Sequence, residues 1–119
     1  MLNLDTHILI DLMIGHVSKT ELAKLQAHEW CISDIVLWEL FKLNQIGRIE
    51  MDFTDSDIRL FLNSLKIYPI DLSVLTAMGE LDFKSDPADE IIAATSLANN
   101  IPLLTRDRKI LKSKKVPLA

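Results

Sequence analysis

The chain has 119 residues, the length of one domain, and its 49% hydrophobic and 25% charged residues are an ordinary balance for a soluble globular protein. No apolar run approaches the roughly 20 residues of a membrane span, and the first residues lack the basic segment and the cleavage site of a signal peptide. Cys31 is the single cysteine, which excludes an intramolecular disulfide or a thiolate zinc site. We therefore expect one domain, residues 1–119, that works in the reducing cytoplasm and has no membrane partner.

Short apolar runs alternate along the chain with longer segments whose apolar residues recur at helical spacing. The runs predict strands at residues 2–5, 29–33, 66–70, 102–105 and, at the end, 116–118. The segments between them predict seven helices. The first covers 7–14 before Gly15, the second runs from a Ser18–Glu21 capping box through Leu25, and the third runs from Ser33 to Gly47. The others run from Thr54 through Leu65, from Ser73 through Leu81, from Asp86 to about Asn99, and over 107–111. This alternation predicts an α/β fold with a parallel sheet flanked by helices.

Four acidic side chains stand at the ends of apolar runs or on helices, in four separate segments: Asp5, Glu39, Asp89 and Asp107. The carboxyl ends of parallel strands meet at one edge of a sheet, where open α/β sheets bind ligands, so we expect these acids to converge there. Oxygen ligands of this kind select magnesium or manganese. Such ions, when held in a cleft, usually serve phosphoryl transfer or hydrolysis. The four acids therefore predict a metal-dependent nuclease.

Most of these acids also have a simpler structural explanation. Asp5 suits a turn after a strand, Asp107 suits a helix cap, and Asp89 suits the positive end of a helix dipole. Asp86, followed by proline, matches a helix N-cap completely and is predicted to be structural. Thr105 is placed to hydrogen-bond and orient a neighbouring carboxylate.

Glu39 is the acid that a structural explanation fits least well. It lies between Trp38 and Leu40 in a strongly apolar helix, where an unpaired carboxylate is costly to bury. Either Lys42 or Arg48 neutralises Glu39, or a metal ion does.

The histidines and tryptophans carry weaker signals. His7, His16 and His28 show no metal-ligand spacing to one another and are predicted to lie on the surface or in a satisfied pocket. Trp30 and Trp38 are predicted to be core residues rather than platforms for stacked bases.

Four motifs, taken together and in this order, resemble the PIN domain, and in particular the VapC-type ribonuclease toxins of toxin–antitoxin pairs. They are Leu-Asp-Thr-His at residues 4–7, a helix that begins at Ser33 and contains Glu39-Leu40, Asp-Pro-Ala-Asp at 86–89 before Ile-Ala-Ala at 92–94, and Leu-Leu-Thr-Arg-Asp at 103–107. The likeness runs from residue 2 to about 111. It implies a three-layer α/β sandwich with a parallel sheet of about five strands, a magnesium- or manganese-dependent endoribonuclease, a homodimer, and an antitoxin that blocks the site.

The resemblance assigns the family's acidic quartet to Asp5, Glu39, Asp89 and Asp107, with Thr105 as the supporting hydroxyl. Asp5 and Asp89 would bind a first metal ion, while Asp107 and Glu39 would help through water or a second ion. The ion would activate water for attack on an RNA phosphodiester.

The chain departs from the family pattern at two places. Glu90 stands where these toxins usually carry arginine, which changes the local charge. The chain also ends soon after Val116-Pro117, so the last strand is expected to be incomplete.

Basic residues crowd the last stretch of a chain whose net charge is −4, namely Arg106, Arg108, Lys109, Lys112, Lys114 and Lys115. An acidic chain is a poor general coat for nucleic acid, but a local basic surface near the cleft would hold the RNA backbone without reading its sequence. The alternative is a solvated charged end, which is favoured for Lys114 and Lys115.

Two other functions stay open. A phosphoacceptor receiver domain is also α/β and also binds magnesium, but Asp5 stands alone where receivers carry adjacent acids, and Asp71 has no acidic pair to serve it. A catalytically inactive PIN-like domain that only binds partners is the second alternative, and Glu90 keeps it open. Magnesium-dependent RNA cleavage by the purified protein separates all three.

Overall fold

The computed structural model describes all 119 residues and is built round a parallel sheet of four strands in the order β3-β2-β1-β4. The strands are β1 (Leu2–Leu4), β2 (Trp30–Ser33), β3 (Lys66–Tyr68) and β4 (Leu103–Leu104). The central strand β1 pairs with β2 through Leu2↔Trp30 and with β4 through Leu4↔Leu104. The predicted α/β fold with a parallel sheet flanked by helices is confirmed, with four strands in place of about five.

Seven helices connect and cover the strands: α1 (Thr6–Ile14), α2 (Lys19–Gln26), α3 (Asp34–Gln45), α4 (Ser56–Ser64), α5 (Leu72–Met78), α6 (Pro87–Asn99) and α7 (Arg108–Leu111). Helix α1 ends at Gly15, whose φ of 78° is a left-handed conformation that glycine adopts without a steric penalty. Helix α2 begins with the predicted capping box, because Ser18 accepts from the Glu21 amide while the Glu21 side chain accepts from the Ser18 amide.

Two helices have N-cap residues other than those predicted. Asp55, not Thr54, caps α4, and the Thr54 amide and hydroxyl instead donate to Asp52 in a turn before the helix. Asp71, not Ser73, caps α5 by accepting from the Val74 amide. Aspartate caps a helix at least as well as threonine or serine, so the tertiary structure decides between neighbouring cap residues.

The predicted last strand is reduced to a single bridge between Leu118 and Leu103. The amide of Leu103 donates to Pro117 O, and the amide of Ala119 donates to Leu103 O. Proline at position 117 has no amide to donate, so the pairing does not extend to a full strand.

Strand β1 is buried on both faces, which fixes where its carboxyl end lies. Leu2 and Leu4 belong to the main core, where burial of each such side chain contributes roughly 1.5–3 kcal/mol. Asn3 points to the other face and donates from Nδ2 to Ser96 Oγ (2.9 Å) and to Ile92 O (3.3 Å), both in α6. Helix α6 is therefore tied directly to the central strand.

Trp38 is not a core residue, contrary to the prediction. Its side chain is 54% exposed on α3, and Phe41, one turn further on, is 49% exposed. Trp30 is half-buried and donates from Nε1 to Leu25 O.

None of the helices has the length and apolar character that crossing a bilayer requires.

Candidate active site

The order of the strands reverses between β1 and β4, because the chain builds β2 and β3 on one side of β1 and returns to place β4 on the other. Such a switch point leaves a crevice at the carboxyl ends of the two strands. Asp5 follows β1 there and Thr105 follows β4. The Thr105 hydroxyl donates to Asp5 Oδ2 over 2.6 Å in a buried contact, so the two strand ends are joined through their side chains.

Asp5 serves as a helix cap and as part of this crevice. Its Oδ1 accepts from the Thr6 amide, which starts α1, and its own amide donates to Leu104 O in β4. The residue is only 5% exposed. Both carboxylate oxygens are therefore fixed in direction by neighbouring donors.

Asp107 is tied to the same threonine. Its amide donates to Thr105 Oγ1 over 3.0 Å, and its Oδ1 accepts from the amides of Lys109 and Ile110 at the start of α7. The predicted cap role is present, and Oδ2 has no protein donor.

Glu39 reaches the crevice from α3. The Thr6 hydroxyl donates to Glu39 Oε1 over 2.5 Å. Burial raises the pKa of Glu39, the charges of Asp89 and Asp5 raise it further, and the Thr6 hydrogen bond opposes the rise. Neither of the two candidate cations neutralises Glu39, since Lys42 donates to Gln45 instead and Arg48 makes no ion pair.

Asp89 lies in the first turn of α6, half-buried, and its Oδ2 accepts from the Ser85 hydroxyl over 3.1 Å. Burial raises the pKa of Asp89, and the charge of Asp5 raises it next, with further contributions from Asp107 and Asp86; the Ser85 hydrogen bond opposes the rise. Asp89 therefore interacts through charge with Asp5 and Asp107, and Glu39 interacts in the same way with Asp89 and Asp5.

The cleft itself has a volume of about 310 Å³ and is lined only by polar residues: Asp5, His7, Asp11, Asp89, Arg106 and Asp107. Glu39 stands beside this lining and interacts with it through charge. His7, His16 and His28 are all exposed, as predicted. The cleft position of His7 and Asp11 was not predicted, although their spacing of four residues on α1, directly after Asp5, places them on one helix face.

Arg106 faces the cleft, but its donors are taken by other side chains. Its Nε and Nη2 each donate to Glu21 over 2.8 Å, and its Nη1 pairs with Asp11. The hydrogen bonds from Arg106 lower the pKa of Glu21 to about 2. Arg106 therefore joins the β4–α7 turn to α1 and α2, which the sequence did not predict.

Four of the other basic residues of the last stretch separate into two groups. Arg108 and Lys109 stand directly after Asp107 and are exposed, and Lys109 Nζ donates to Lys84 O in the loop before α6. Lys114 and Lys115 lie at the far end of the turn that leads into Leu118. Because Leu118 pairs with β4 in parallel, this turn lies towards the amino ends of the strands, away from the cleft.

The donor set fits a hard divalent cation. Asp5, Glu39, Asp89 and Asp107 offer carboxylate oxygens only, and no lysine or arginine pairs with any of them. No three of the His, Cys, Asp and Glu side chains stand in an arrangement that would hold a metal ion as they lie.

The chain was compared with known families, curated proteins and solved structures. The family model of the PIN domain matches residues 3–116, whereas no curated protein matches the sequence. Among solved structures, the chain is similar to VapBC2 from Rickettsia felis bound to a DNA fragment from its promoter, with 22% identity, a TM-score of 0.76 and coverage of 100% of this chain and 98% of that chain. It is also similar to DNA-bound VapBC from Salmonella typhimurium, with 17% identity, a TM-score of 0.74 and coverage of 99% and 96%.

FitAcB from Neisseria gonorrhoeae is a third similar structure, at 18% identity and a TM-score of 0.72, with coverage of 99% of this chain and 96% of that chain. At these identities the structures share the fold, and the family model carries the assignment because it spans nearly the whole chain. This chain belongs to the PIN-domain family, whose members are generally nucleases that use divalent metal ions.

Proposed function

We propose that this protein is a magnesium- or manganese-dependent endoribonuclease that hydrolyses RNA phosphodiester bonds, and that it is the toxin of a VapC-type toxin–antitoxin pair in the cytoplasm. The observation that carries the proposal is that Asp5, Asp89 and Asp107 line one cleft at the switch point, with Glu39 beside it, and that no lysine or arginine pairs with any of them. Carboxylates arranged at such a cost to one another are expected where charge is needed for function.

Asp5 and Asp89 would hold a first divalent ion, and Asp107 and Glu39 would assist through water or a second ion. When bound, the ion would activate water and neutralise charge that develops on the phosphate. The hydroxyls of Thr105 and Thr6 hold the carboxylates of Asp5 and Glu39 in fixed directions, and such supporting groups set the orientation of metal ligands.

The RNA backbone would lie along the exposed basic residues that follow Asp107, namely Arg108, Lys109 and Lys112. Contacts of this type recognise phosphate charge and carry no base information. Arg106 was predicted to join them, but its pairing with Glu21 and Asp11 favours a role in holding the β4–α7 turn.

An antitoxin protein is the proposed partner. An apolar groove of about 360 Å³ is lined by Leu12, Met13, Trp30, Ile58 and Phe61, with Asp57 as its one charged residue. Helix α1 contributes both to this groove and, through His7 and Asp11, to the cleft. A partner segment with an apolar face could fill the groove and direct an arginine or lysine into the cleft, where a carboxylate accepts a guanidinium through two hydrogen bonds.

A homodimer is the proposed assembly. Large apolar side chains remain exposed on α3, on α5 and near β3, namely Trp38, Phe41, Ile67, Ile70, Leu72 and Leu75. Sedimentation at micromolar concentration tests this part, and a monomer would contradict it.

The nuclease itself is tested by incubating the purified protein with RNA and Mg²⁺ or Mn²⁺, with chelator and Asp89→Asn as controls. Cleavage that requires both the metal ion and Asp89 supports the proposal. A protein that binds its antitoxin and leaves every RNA intact would instead be an inactive PIN-like binding module. The receiver hypothesis has lost its support, because the chain is a PIN domain and Asp71 is used to cap α5.

A further inference from the structure

Helix α6, which carries Asp89, begins differently from every other helix in the chain. The other six helices have an N-cap side chain that accepts from a backbone amide, and these residues are Asp5, Ser18, Ser33, Asp55, Asp71 and Asp107. Asp86 occupies the N-cap position of α6 and makes no such hydrogen bond. Asp86 therefore lies at the predicted N-cap position, but the prediction that its side chain caps the helix is wrong.

Ser85 and Glu90 make the contacts that Asp86 does not make. Glu90 Oε2 accepts from the backbone amide of Ser85 over 2.9 Å. The hydroxyl of the same Ser85 donates to Asp89 Oδ2 over 3.1 Å. Glu90 thus holds the backbone of Ser85 against the first turn of α6, and Ser85 holds the carboxylate of Asp89.

The Ser85 hydroxyl is the only protein donor on the Asp89 carboxylate, whereas the charges that act on Asp89 from Asp5, Asp107 and Asp86 all repel it. A half-buried carboxylate repelled by its neighbours and held by one donor takes its direction from that donor. An arginine at position 90 would have no acceptor for the Ser85 amide, so the contact depends on the carboxylate of Glu90.

We propose that Ser85, held in place by Glu90, is a positioning residue that directs the Asp89 carboxylate into the cleft and thereby sets the affinity for a divalent ion. The inference rests on the proposed metal-dependent nuclease function. It assigns a role to Glu90, and it leaves the exposed Asp86 without a role in holding the ion.

The test compares Ser85→Ala, Glu90→Ala, their double variant, Ser85→Thr and Glu90→Gln with the parent chain. Mn²⁺ affinity is measured by calorimetric titration, the thermal unfolding midpoint is measured without metal, and kcat and KM are measured on RNA. Removing a group that orients a metal ligand typically costs about 10- to 100-fold in metal affinity or activity. We expect Ser85→Ala to lower Mn²⁺ affinity on the order of tenfold and to lower kcat more than it raises KM.

Two variants restore what the alanines remove. Ser85→Thr keeps the hydroxyl, and Glu90→Gln keeps an oxygen that accepts from the Ser85 amide, so both are expected to bind Mn²⁺ nearly as the parent does. The double alanine variant is expected to lose no more Mn²⁺ affinity than Ser85→Ala alone, because Glu90 acts on Asp89 only by holding Ser85. Ser64→Ala is the matched control, since its hydroxyl donates only to Phe61 O and Ser64 lies beside Glu29 and Lys66 at the amino ends of the strands.

The outcomes separate this inference from the function on which it rests. If Asp89→Asn abolishes Mn²⁺ binding while Ser85→Ala binds as the parent does, the inference is overturned and the nuclease proposal stands. A lower unfolding midpoint in Ser85→Ala with unchanged Mn²⁺ affinity also overturns it, because Ser85 would then only stabilise the helix. If the parent neither binds Mn²⁺ nor cleaves RNA, the proposed function fails and this inference fails with it.

Discussion

The carboxylates at the cleft and the carboxylates of the outer surface differ in what surrounds them. Glu39 and Asp89 are half-buried and face other acids, and the pKa of each is raised, first by burial and then by those charges. Glu21 and Asp82 lie among donors, and the pKa of each is lowered, by Arg106 in the first case and by the Ser113 hydroxyl and the Lys114 amide in the second. The same chemical group is thus stabilised as an anion in one region and destabilised in the other.

This difference separates acids that hold the fold together from acids kept for a ligand. Asp82 joins the loop before α6 to the last turn of the chain, and Glu21 joins α2 to the β4–α7 turn. Glu39 and Asp89 each accept one hydroxyl hydrogen bond, from Thr6 and Ser85, but burial and the facing acids still raise the pKa of both, and a cost of this kind to the folded state is found at functional sites. Substitutions in the two regions should therefore have opposite effects on stability and on activity.

The largest expected effect comes from Asp89→Asn, which keeps the side-chain volume and removes the charge that a metal ion needs. We expect RNA cleavage to fall by roughly 100-fold or more, since the charge stabilisation that a metal ion supplies is worth several kcal/mol. The unfolding midpoint should stay the same or rise, because one of several facing like charges is removed. Cleavage assays and thermal unfolding on the same preparation measure both effects.

Asp86→Asn is the matched control for Asp89→Asn, three residues away on the same helix start. Its side chain makes no capping hydrogen bond and is exposed, so we expect activity and stability close to those of the parent. Full activity in Asp89→Asn, or a loss in Asp86→Asn equal to it, would contradict the assignment.

The next effect concerns the basic residues. We expect Arg108→Ala with Lys109→Ala to weaken RNA binding on the order of tenfold at moderate salt, at every sequence, without moving the cleavage position. Removing a side chain that binds one phosphate should flatten the log–log salt dependence of RNA affinity by roughly one unit. Lys114→Ala with Lys115→Ala removes the same charge at the amino ends of the strands and should leave both quantities nearly unchanged. Equal decreases in RNA affinity in the two double variants would show that only net charge matters.

A smaller effect is expected from Arg106→Ala, which tests the outer region. It removes the hydrogen bonds to Glu21 and the ion pair to Asp11. Because these side chains are partly exposed, with 41% of the Arg106 side chain accessible, we expect a loss of roughly 1 kcal/mol in unfolding free energy. Denaturant titration measures it, with Arg108→Ala as a control that has no such partners. An unchanged midpoint in Arg106→Ala would mean that solvent screens the network completely.

Local features of this fold were predictable from the sequence, and contacts between distant residues were not. The Ser18–Glu21 capping box and the end of α1 at Gly15 need only neighbouring residues, and both were predicted. The pairing of Arg106 with Glu21 joins residues 85 positions apart, and no spacing rule within one element reports such a contact.

The position of Trp38 shows a related limit. Apolar residues at helical spacing predict a buried face, but they do not distinguish a face that meets the core from one that is left exposed for another chain. For the candidate site, the sequence indicated that Asp5, Asp89 and Asp107 would meet, because each follows a strand or starts a helix at the same edge of the sheet. It did not indicate Ser85, whose position depends on how the loop before α6 packs.

The smallest expected effect is the pH dependence of the metal-free protein, where the two regions should act in opposite directions. Burial and facing charges raise the pKa of Glu39 and Asp89 in the folded state. Their protonated forms are therefore favoured by folding, and the stability they contribute at low pH is lost as pH rises through the folded pKa values. Glu21 has its pKa lowered from 4.5 to about 2, so its contribution is complete above about pH 4.5 and is lost only as pH falls towards 2.

Between about pH 4.5 and 7, Glu21 therefore contributes a constant amount to the free energy of unfolding. The cleft acids cause the change in stability with pH in this window. With chelator present, we expect the parent to lose stability as pH rises through this window relative to Glu39→Gln with Asp89→Asn, a double variant that keeps the hydrogen-bond acceptors and cannot ionise. Adding Mn²⁺ should reverse the slope for the parent, because metal ligands bind in their ionised form, and should leave the double variant unaffected. If the stability of the two proteins in chelator changes with pH in parallel, ionisation of the cleft carboxylates does not destabilise the folded protein. The contrast between the two regions would then fail.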